Sequence, residues 1–426
     1  MSSLLYEKYK ASGKVSTDTR QVTPNSVFFA LKGPRFNANE FAKEALEKGA
    51  SFAVIDDESF AIDERYIVVE DTLTALQQLA KEHRNYLSIP VIGLTGSNGK
   101  TTSKELLNVV LSKKFRTYAT KGNLNNHIGV PLTILAIDPS VELAIIEMGA
   151  NHLGEIATLC DIANPTHGLI TNIGRAHIGT FGGYENIIRG KSELYQHLIS
   201  NHGTVFINSQ DAVLMNMAKR FKTPYFYPAK ADYYHGEVID ANPFLRVRAE
   251  NGDVIQTQLT GKYNFENIAA ALCIGKYFEA DPKLANESIA EYVPGNMRSQ
   301  VIEKGSNVII LDAYNANPSS MEAAIENLSS IEAQNKAVIL GDMFELEGEA
   351  EHEHRLLGEL LKNKKFSRVY LCGALMKSAK AVLPEALHFE KKEQLIEELK
   401  KNPVVDSTIL VKASRGIGLE TVLEFI

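Results

Sequence analysis

The stretch Val91–Glu105, VIGLTGSNGKTTSKE, runs from an apolar segment through two glycines in a small polar turn to a lysine, two threonines and a helix-compatible tail. An apolar run that stops at a glycine turn and restarts as a helix is the opening of a strand–turn–helix unit. The strict phosphate-loop pattern, G-x-x-x-x-G-K-[ST], asks for glycine where this chain has Leu94. The other parts are in register: Gly96, Ser97, Asn98 and Gly99 form the turn, and Lys100, Thr101 and Thr102 open the helix. Glycine lets backbone N–H groups approach phosphate oxygens, and the helix N-terminus adds its positive end. That reads as a nucleoside triphosphate site, with Lys100 on the outer phosphates and Thr101 on Mg²⁺.

Outward from this loop the strand-then-helix alternation continues. VELAIIEMG precedes LGEIATLCDIA, and HGLITNIG precedes a helix through YENIIRGKSELYQHL. Short strands alternating with helices argue for a parallel sheet covered on both faces. A more irregular stretch, about 203–260, follows with strand-like TVFIN and FLRVRA, and then the alanine-rich helix NFENIAAALCIGKYF. Upstream, residues 26–88 read as a small mixed unit with strands in SVFFALK, ASFAVID and YIVVE. It closes with the helix DTLTALQQLAKEHRNYL, capped by Asp71 or Thr72. Pro90 and the Pro-Gly pair of EYVPGNMRSQ mark two linkers. Beyond the second, the alternation restarts with NVIILDA, KAVILGD, SRVYLCG and STILVKAS. The expected organisation is an α/β chain of three domains: 1–88, small and α/β; 89–301, a phosphate-loop domain with a parallel sheet; and 302–426, doubly wound and Rossmann-like.

Bulk properties agree. A chain of 426 residues exceeds one typical core of roughly 100 to 200 residues. Its 44% hydrophobic and 23% charged composition is that of a folded globular protein. A net charge of -7 provides no broad basic footprint, so nucleic acid is not an expected partner. No run approaches the ~20 apolar residues of a membrane span, and the start MSSLLYEKYKASGK lacks a secretory apolar core. Cys160, Cys273 and Cys372 fit neither a zinc spacing nor a disulfide framework. They read as buried small side chains in a reducing cytoplasm.

Several polar residues end buried strands, where open α/β sheets place ligands. Glu147 ends ELAIIE and can hold Mg²⁺ opposite Thr101. His177 follows HGLITNI, although by itself it reads as a structural hydrogen-bonder. Lys191 in GKSELY reads by itself as a helix-surface lysine. In DAYNANPSSMEAAI, Asp312 ends a strand, and Asn315 and Asn317 occupy the turn before a helix that starts near Pro318. Ser414 and Arg415 of KASRGIG end the last strand. Small polar residues there can simply form turns, but two such clusters at one sheet edge are harder to read that way.

TGSNGKTT, GNLNNHIGVPLT, IEMGANHLGEI, TNIGRAHIGTFG, GKSELY, GKYNFENIAAAL, DAYNANPSSM, LGDMFELE and ASRG, in that order over nearly the whole chain, resemble the Mur ligases. The resemblance implies a UDP-sugar-binding first domain, a central ATPase domain and a last domain for the incoming amine. It is strongest for the member that joins D-Ala-D-Ala to UDP-N-acetylmuramoyl tripeptide through an acyl phosphate, giving ADP and phosphate in cell-wall synthesis. By resemblance, Thr101 and Glu147 bind one magnesium, and His177 and a carbamylated Lys191 serve a second. Asn267 and Arg298 contact adenine and phosphates, with Asp312 on the ribose. Asn125, Asn126 and Arg175 lie near the muramoyl or acyl-phosphate end. Thr19, Arg20 and the Lys32 to Asn39 loop lie near the UDP moiety, and Asn315, Ser414 and Arg415 on the dipeptide side. The chain is expected to act as a cytoplasmic monomer. It departs from the family pattern at Asn37, Ala38 and Asn39, where Asp-Gly-His is common, and at Tyr263, where histidine is usual. Three rivals remain: the ligase that adds the third stem-peptide residue, a folylpolyglutamate synthetase, and a non-catalytic nucleotide binder. The first would carry an Asp-Asn-Pro-Arg motif in its last domain, the second would lack the first domain, and the third would lose Glu147, His177 and Lys191.

Overall fold

Every residue of the apolar run Val91–Thr95 is buried, as a strand covered on both faces must be. The structure, a computed structural model that describes residues 2–426, places this strand inside a six-stranded parallel sheet. Its strands are β7 (Val91–Thr95), β8 (Thr117–Ala119), β9 (Leu143–Glu147), β10 (His167–Ile170), β11 (Thr204–Asn208) and β12 (Tyr225–Tyr227), in the order β12-β11-β10-β7-β9-β8. Leu94 pairs with Glu147 and Thr95 with Ile170, so β7, β9 and β10 end side by side.

Before it lies a four-stranded parallel sheet of β1 (Val15–Ser16), β2 (Val27–Phe29), β5 (Phe52–Ile55) and β6 (Tyr66–Val68), with a small hairpin of β3 (Lys32–Gly33) and β4 (Phe36–Asn37). The stretch read as irregular contains an antiparallel meander: β13 (Glu237–Ala241), β14 (Phe244–Arg248) and β15 (Val254–Thr260). Burial alternates along β14 and β15, the period of a sheet with one wet face. The chain ends in a sheet ordered β16-β17-β21-β18-β19-β20. These strands are β16 (Gln300–Lys304), β17 (Asn307–Asp312), β18 (Lys336–Gly341), β19 (Arg368–Cys372), β20 (Leu387–Phe389) and β21 (Thr408–Lys412). Only β16 runs antiparallel to its neighbour. The division expected after residue 301 cuts through β16, because the Pro-Gly pair marks the start of the linker and not its end. Cys160, Cys273 and Cys372 are free and buried, as read.

The division near residue 88 is a turn of the chain without a break in packing. Asp71 caps the helix Thr72–Tyr86 by accepting from Thr74 N at 2.7 Å. One core runs from Tyr9, Leu76 and Leu79 of the first unit to Val130, Ile134 and Leu159 of the second. Arg84, at 6% exposure, stitches the two together by donating to the carbonyls of Ala163 (2.9 Å), Leu87 (2.6 Å) and Asn164 (3.0 Å). Ala163 is itself buried, and its carbonyl takes a proton from the guanidinium in place of water.

Replacing Arg84 with methionine retains the packing of the stem and strands these acceptors. Stability is expected to fall by about 1–3 kcal/mol, the cost of leaving buried polar groups unpaired. A urea midpoint equal to that of the unsubstituted chain, at unchanged m-value, would contradict this role.

Candidate active site at two facing sheet edges

The turn after β7 is shaped by glycine where nothing else fits. Gly96 has φ 149°, and a Cβ there would lie 1.9 Å from Thr171 Oγ1; Gly99 has φ 77°, with a Cβ 2.5 Å from Asn267 Oδ1. The turn is laced to the segment after β10. Ser97 Oγ donates to Gly174 O (2.9 Å) and accepts from Gly174 N (2.8 Å), Asn98 N donates to Asn172 Oδ1 (3.0 Å), and Thr171 Oγ1 donates to Asn98 O (2.6 Å). Lys100 Nζ donates to Gly96 O (2.8 Å) and Ser97 O (3.2 Å). Burial pushes its amine below the ordinary lysine range and Arg298 adds to that, against the pull of Glu147 and Glu345.

Glu147 ends β9 at 1% exposure. Its Oε1 accepts from Asn125 Nδ2 at 2.8 Å and Thr101 Oγ1 at 3.3 Å, whereas its Oε2 is buried without a partner. A carboxylate oxygen with no proton donor, beside a threonine hydroxyl, suits a hard cation. Asn125 is thus turned onto Glu147. Asn126 Oδ1 accepts from Ile128 N (3.1 Å) and Gly129 N (2.8 Å), closing the first turn of the helix Gly129–Leu135.

Across a cleft of about 980 Å³ stands the carboxyl edge of the last sheet. Asp312 pairs with Lys412 at 2.6 Å, and Lys412 Nζ also donates to Asn315 O at 3.0 Å. Asp312 and Asn315 line the cleft, as do residues 97–102, Glu147, His177, Asn267 and Arg298. Asn267 is fixed from within, accepting from Ser103 Oγ (2.8 Å) and donating to Asn264 Oδ1 (3.0 Å). Ser414 is buried and its Oγ accepts from Phe344 N at 2.9 Å. Arg415 is exposed, 3.9 Å from Glu420.

Polar contacts span the two edges. Asn317 Nδ2 donates to Asn98 Oδ1 (2.8 Å), and Arg175 N donates to Ser319 Oγ (2.9 Å). The Arg175 guanidinium is engaged by Glu353 at 2.8 Å and does not line the cleft. His177 Nδ1 lies 2.7 Å from Glu345 Oε2, close in distance yet not aligned as a hydrogen bond. His177 holds the Glu345 carboxyl below its ordinary range. Sequence reasoning missed Lys412, Glu345 and Glu353; the one available signal was Lys412, a charge that ends the apolar run of the strand Thr408–Lys412.

Lys191 is not the surface lysine its helix suggested. It is 1% exposed, its Nζ donates to Ala150 O (3.1 Å) and lies 5.2 Å from the centre of the Phe181 ring. Burial first, then Lys100, pushes its amine down to about 7. Among the described residues no three His, Cys, Asp or Glu side chains gather as a metal cluster. His177 sits against Glu345 and Lys191 against Ala150, so the ligands implied for a second magnesium stand as separate contacts. Thr19 and Arg20 are in the first unit, outside the cleft lining, with Arg20 exposed and paired to Asp18 at 2.6 Å. Asn39 is buried and donates to Asn37 Oδ1 (2.7 Å) and Asp56 Oδ1 (2.7 Å), while Lys32 pairs with Asp56 at 2.9 Å.

Comparison with known proteins covers all three units. Residues 13–84 match the description "Mur ligase family, catalytic domain", residues 94–275 "Mur ligase middle domain" and residues 297–415 "Mur ligase, glutamate ligase domain". The chain is 37% identical to the UDP-N-acetylmuramoyl-tripeptide--D-alanyl-D-alanine ligase of Bacillus subtilis (strain 168), over 98% of this chain and 94% of that one. A crystal structure of MurF from Acinetobacter baumannii superposes with a TM-score of 0.87 at 30% identity, covering 96% of this chain and 92% of that chain. A MurF ligase from Thermotoga maritima in complex with ADP gives 0.86 at 28% identity, covering 97% of each.

The lowered Lys191 amine has a thermodynamic signature. Between about 7 and the ordinary 10.5, the unfolded chain binds a proton that the folded chain does not. This residue's contribution to stability therefore rises with pH across that window and is smallest below it. In CO2-free buffer, the stability of the unsubstituted chain minus that of Lys191→Met is expected to climb from pH 7 to pH 10. A difference that stays flat would place the amine at its ordinary value.

Proposed function

The chain belongs to the Mur ligase family, and from that premise we propose that it joins D-Ala-D-Ala to a UDP-N-acetylmuramoyl tripeptide. ATP phosphorylates the terminal carboxylate of the tripeptide, the dipeptide amine attacks the acyl phosphate, and pentapeptide, ADP and phosphate result. The observation that carries the reading is the cleft. An anion-binding loop, a buried carboxylate with one unpartnered oxygen and the polar edge of a second sheet share one space.

The reaction must bring two anions together, and this chain supplies the cationic and dipolar groups for that. Backbone N–H groups at the start of the helix Lys100–Leu111 face the nucleotide's phosphates, and the Lys100 amine stabilises the transferring phosphoryl group. Magnesium, when bound, draws charge from phosphate oxygens, and Thr101 Oγ1 with Glu147 Oε2 are the oxygens that suit it. A second ion would be held by His177 and a carbamate on Lys191. The buried neutral amine of Lys191 adds CO2 with loss of a proton, and the carbamate so formed is an anionic oxygen ligand. Asp312, held by Lys412, takes the ribose, and Asn267 and Arg298 take the base and phosphates. Asn315, Ser414 and Arg415 serve the dipeptide side, Asn315 from the lining of the cleft. Asn125, Asn126 and Arg175 support the acyl-phosphate end through the partners they hold. Thr19, Arg20 and the Lys32–Asn39 loop serve the UDP moiety. Among the described residues no helix is long and apolar enough to cross a membrane; the reading places the enzyme in the cytoplasm, acting as a single chain.

Phosphate release from ATP tests the reading. It is expected only with a UDP-muramoyl tripeptide and D-Ala-D-Ala together, assayed with both the lysine and the diaminopimelate forms of the tripeptide. Glu147→Gln should lower turnover by roughly 100-fold or more, the scale of removing a group that stabilises transition-state charge. Release driven instead by glutamate and a folate would overturn the assignment. Full activity of Lys191→Ala at saturating Mg²⁺ would remove the carbamate.

A further inference from the structure

The linker into the last sheet holds three non-glycine residues in the left-handed region: Asn296 (φ 57°), Met297 (φ 57°) and Ser299 (φ 49°). L side chains disfavour this conformation, and a run of it persists only where surrounding groups hold it. One group doing so is Tyr263, from the central unit, whose hydroxyl lies 3.0 Å from Ser299 Oγ. The tyrosine ring is itself seated on Gly261, where a Cβ would come within 2.4 Å of it.

Arg298 stands between the strained residues. Its guanidinium carbon lies 3.9 Å from the centre of the Tyr314 ring, on the last unit, and its Nε is buried without a partner. Tyr263, Arg298, Ser299 and Tyr314 all line the cleft. A buried, unpaired N–H of a cation, held by a ring on one side and a strained backbone on the other, is preorganised for an anionic acceptor.

We propose that Tyr263 is a positioning residue for nucleotide binding: its hydroxyl pins Ser299, and the pinned linker presents Arg298, backed by Tyr314, to the nucleotide in the cleft. The assignment rests on the ATP site read above. It makes the linker part of the binding machinery and couples nucleotide affinity to the path of the chain between the central and last units.

Tyr263→Phe keeps the ring on Gly261 and removes only the hydroxyl. In calorimetric titration of the full chain with Mg²⁺ and ADP, Tyr263→Phe and Ser299→Ala are each expected to weaken affinity by about 3- to 10-fold, the worth of one hydrogen bond. The double variant should be no weaker than either single one, because both cut the same bond. In an Arg298→Ala background, Tyr263→Phe should have no further effect, which a merely structural tyrosine would not reproduce. The KM for ATP should rise by the same factor while that for D-Ala-D-Ala stays. Unchanged ADP affinity in Tyr263→Phe, or a loss additive with Arg298→Ala, overturns the proposal alone. Failure of the unsubstituted chain to bind ADP overturns the nucleotide reading and the proposal with it.

Discussion

The parallel pairing of β7 with β9 and β10 is the constraint on which the site depends. With Leu94 opposite Glu147 and Thr95 opposite Ile170, three chain segments leave the sheet at the same level. One carries the glycine turn and Lys100, one ends in Glu147, and one leads into Thr171–His177. The strands are apolar and covered on both faces, so polar chemistry is confined to the residues at which they stop. Glu147 is the extreme case: it belongs to the strand by register and burial yet must remain wet or paired by charge. An unpaired buried acceptor costs about 1–3 kcal/mol, a penalty that persists in a stable chain when ligand binding relieves it.

The last sheet repeats the arrangement from the opposite side. Asp312 and Lys412 sit in register at the ends of adjacent parallel strands, and their 2.6 Å pairing lets both be largely buried. The two seams of the molecule differ in kind. First and central units share a continuous apolar core, reinforced by Arg84. Central and last units meet mainly through polar pairs such as Asn98–Asn317, Arg175–Glu353 and His177–Glu345, with Ile178 as an apolar contact. Polar seams of this kind part more readily than apolar ones, so substrate entry is best served by the last unit moving against the other two.

Much of this was legible in the sequence because strand ends are legible: Glu147 and Asp312 stand out as charges that stop apolar runs. What was not legible depends on distant partners. Lys191 sits on a helix with a polar face, yet Gly190 leaves room for Phe181, whose ring would lie 2.6 Å from any Cβ there, and that ring covers the lysine. Glu353 belongs to an acidic run that reads as solvated surface, and only the fold brings Arg175 to it across 178 positions. Lys412 ends its strand as Asp312 does, and only the fold sets the two side by side. The linker was recognised by its Pro-Gly pair, but its end was hidden because β16 is an edge strand with a polar, half-exposed pattern.

The missing glycine at position 94 has a physical answer. Leu94 is fully buried in β7 and paired with Glu147, so the turn begins after it and the conformational freedom is needed at Gly96. Gly96 is required less for the nucleotide than for Thr171, whose hydroxyl occupies the space a Cβ would take. A phosphate loop usually defines its own curvature. Here the curvature is fixed from outside, by Thr171, Asn172 and Gly174. The turn after β7 and the segment that leads to Arg175 and His177 are therefore tied together by hydrogen bonds. Since Arg175 donates to Glu353 and His177 lies against Glu345 of the last unit, the turn after β7 is linked to that unit through polar contacts as well as across the cleft.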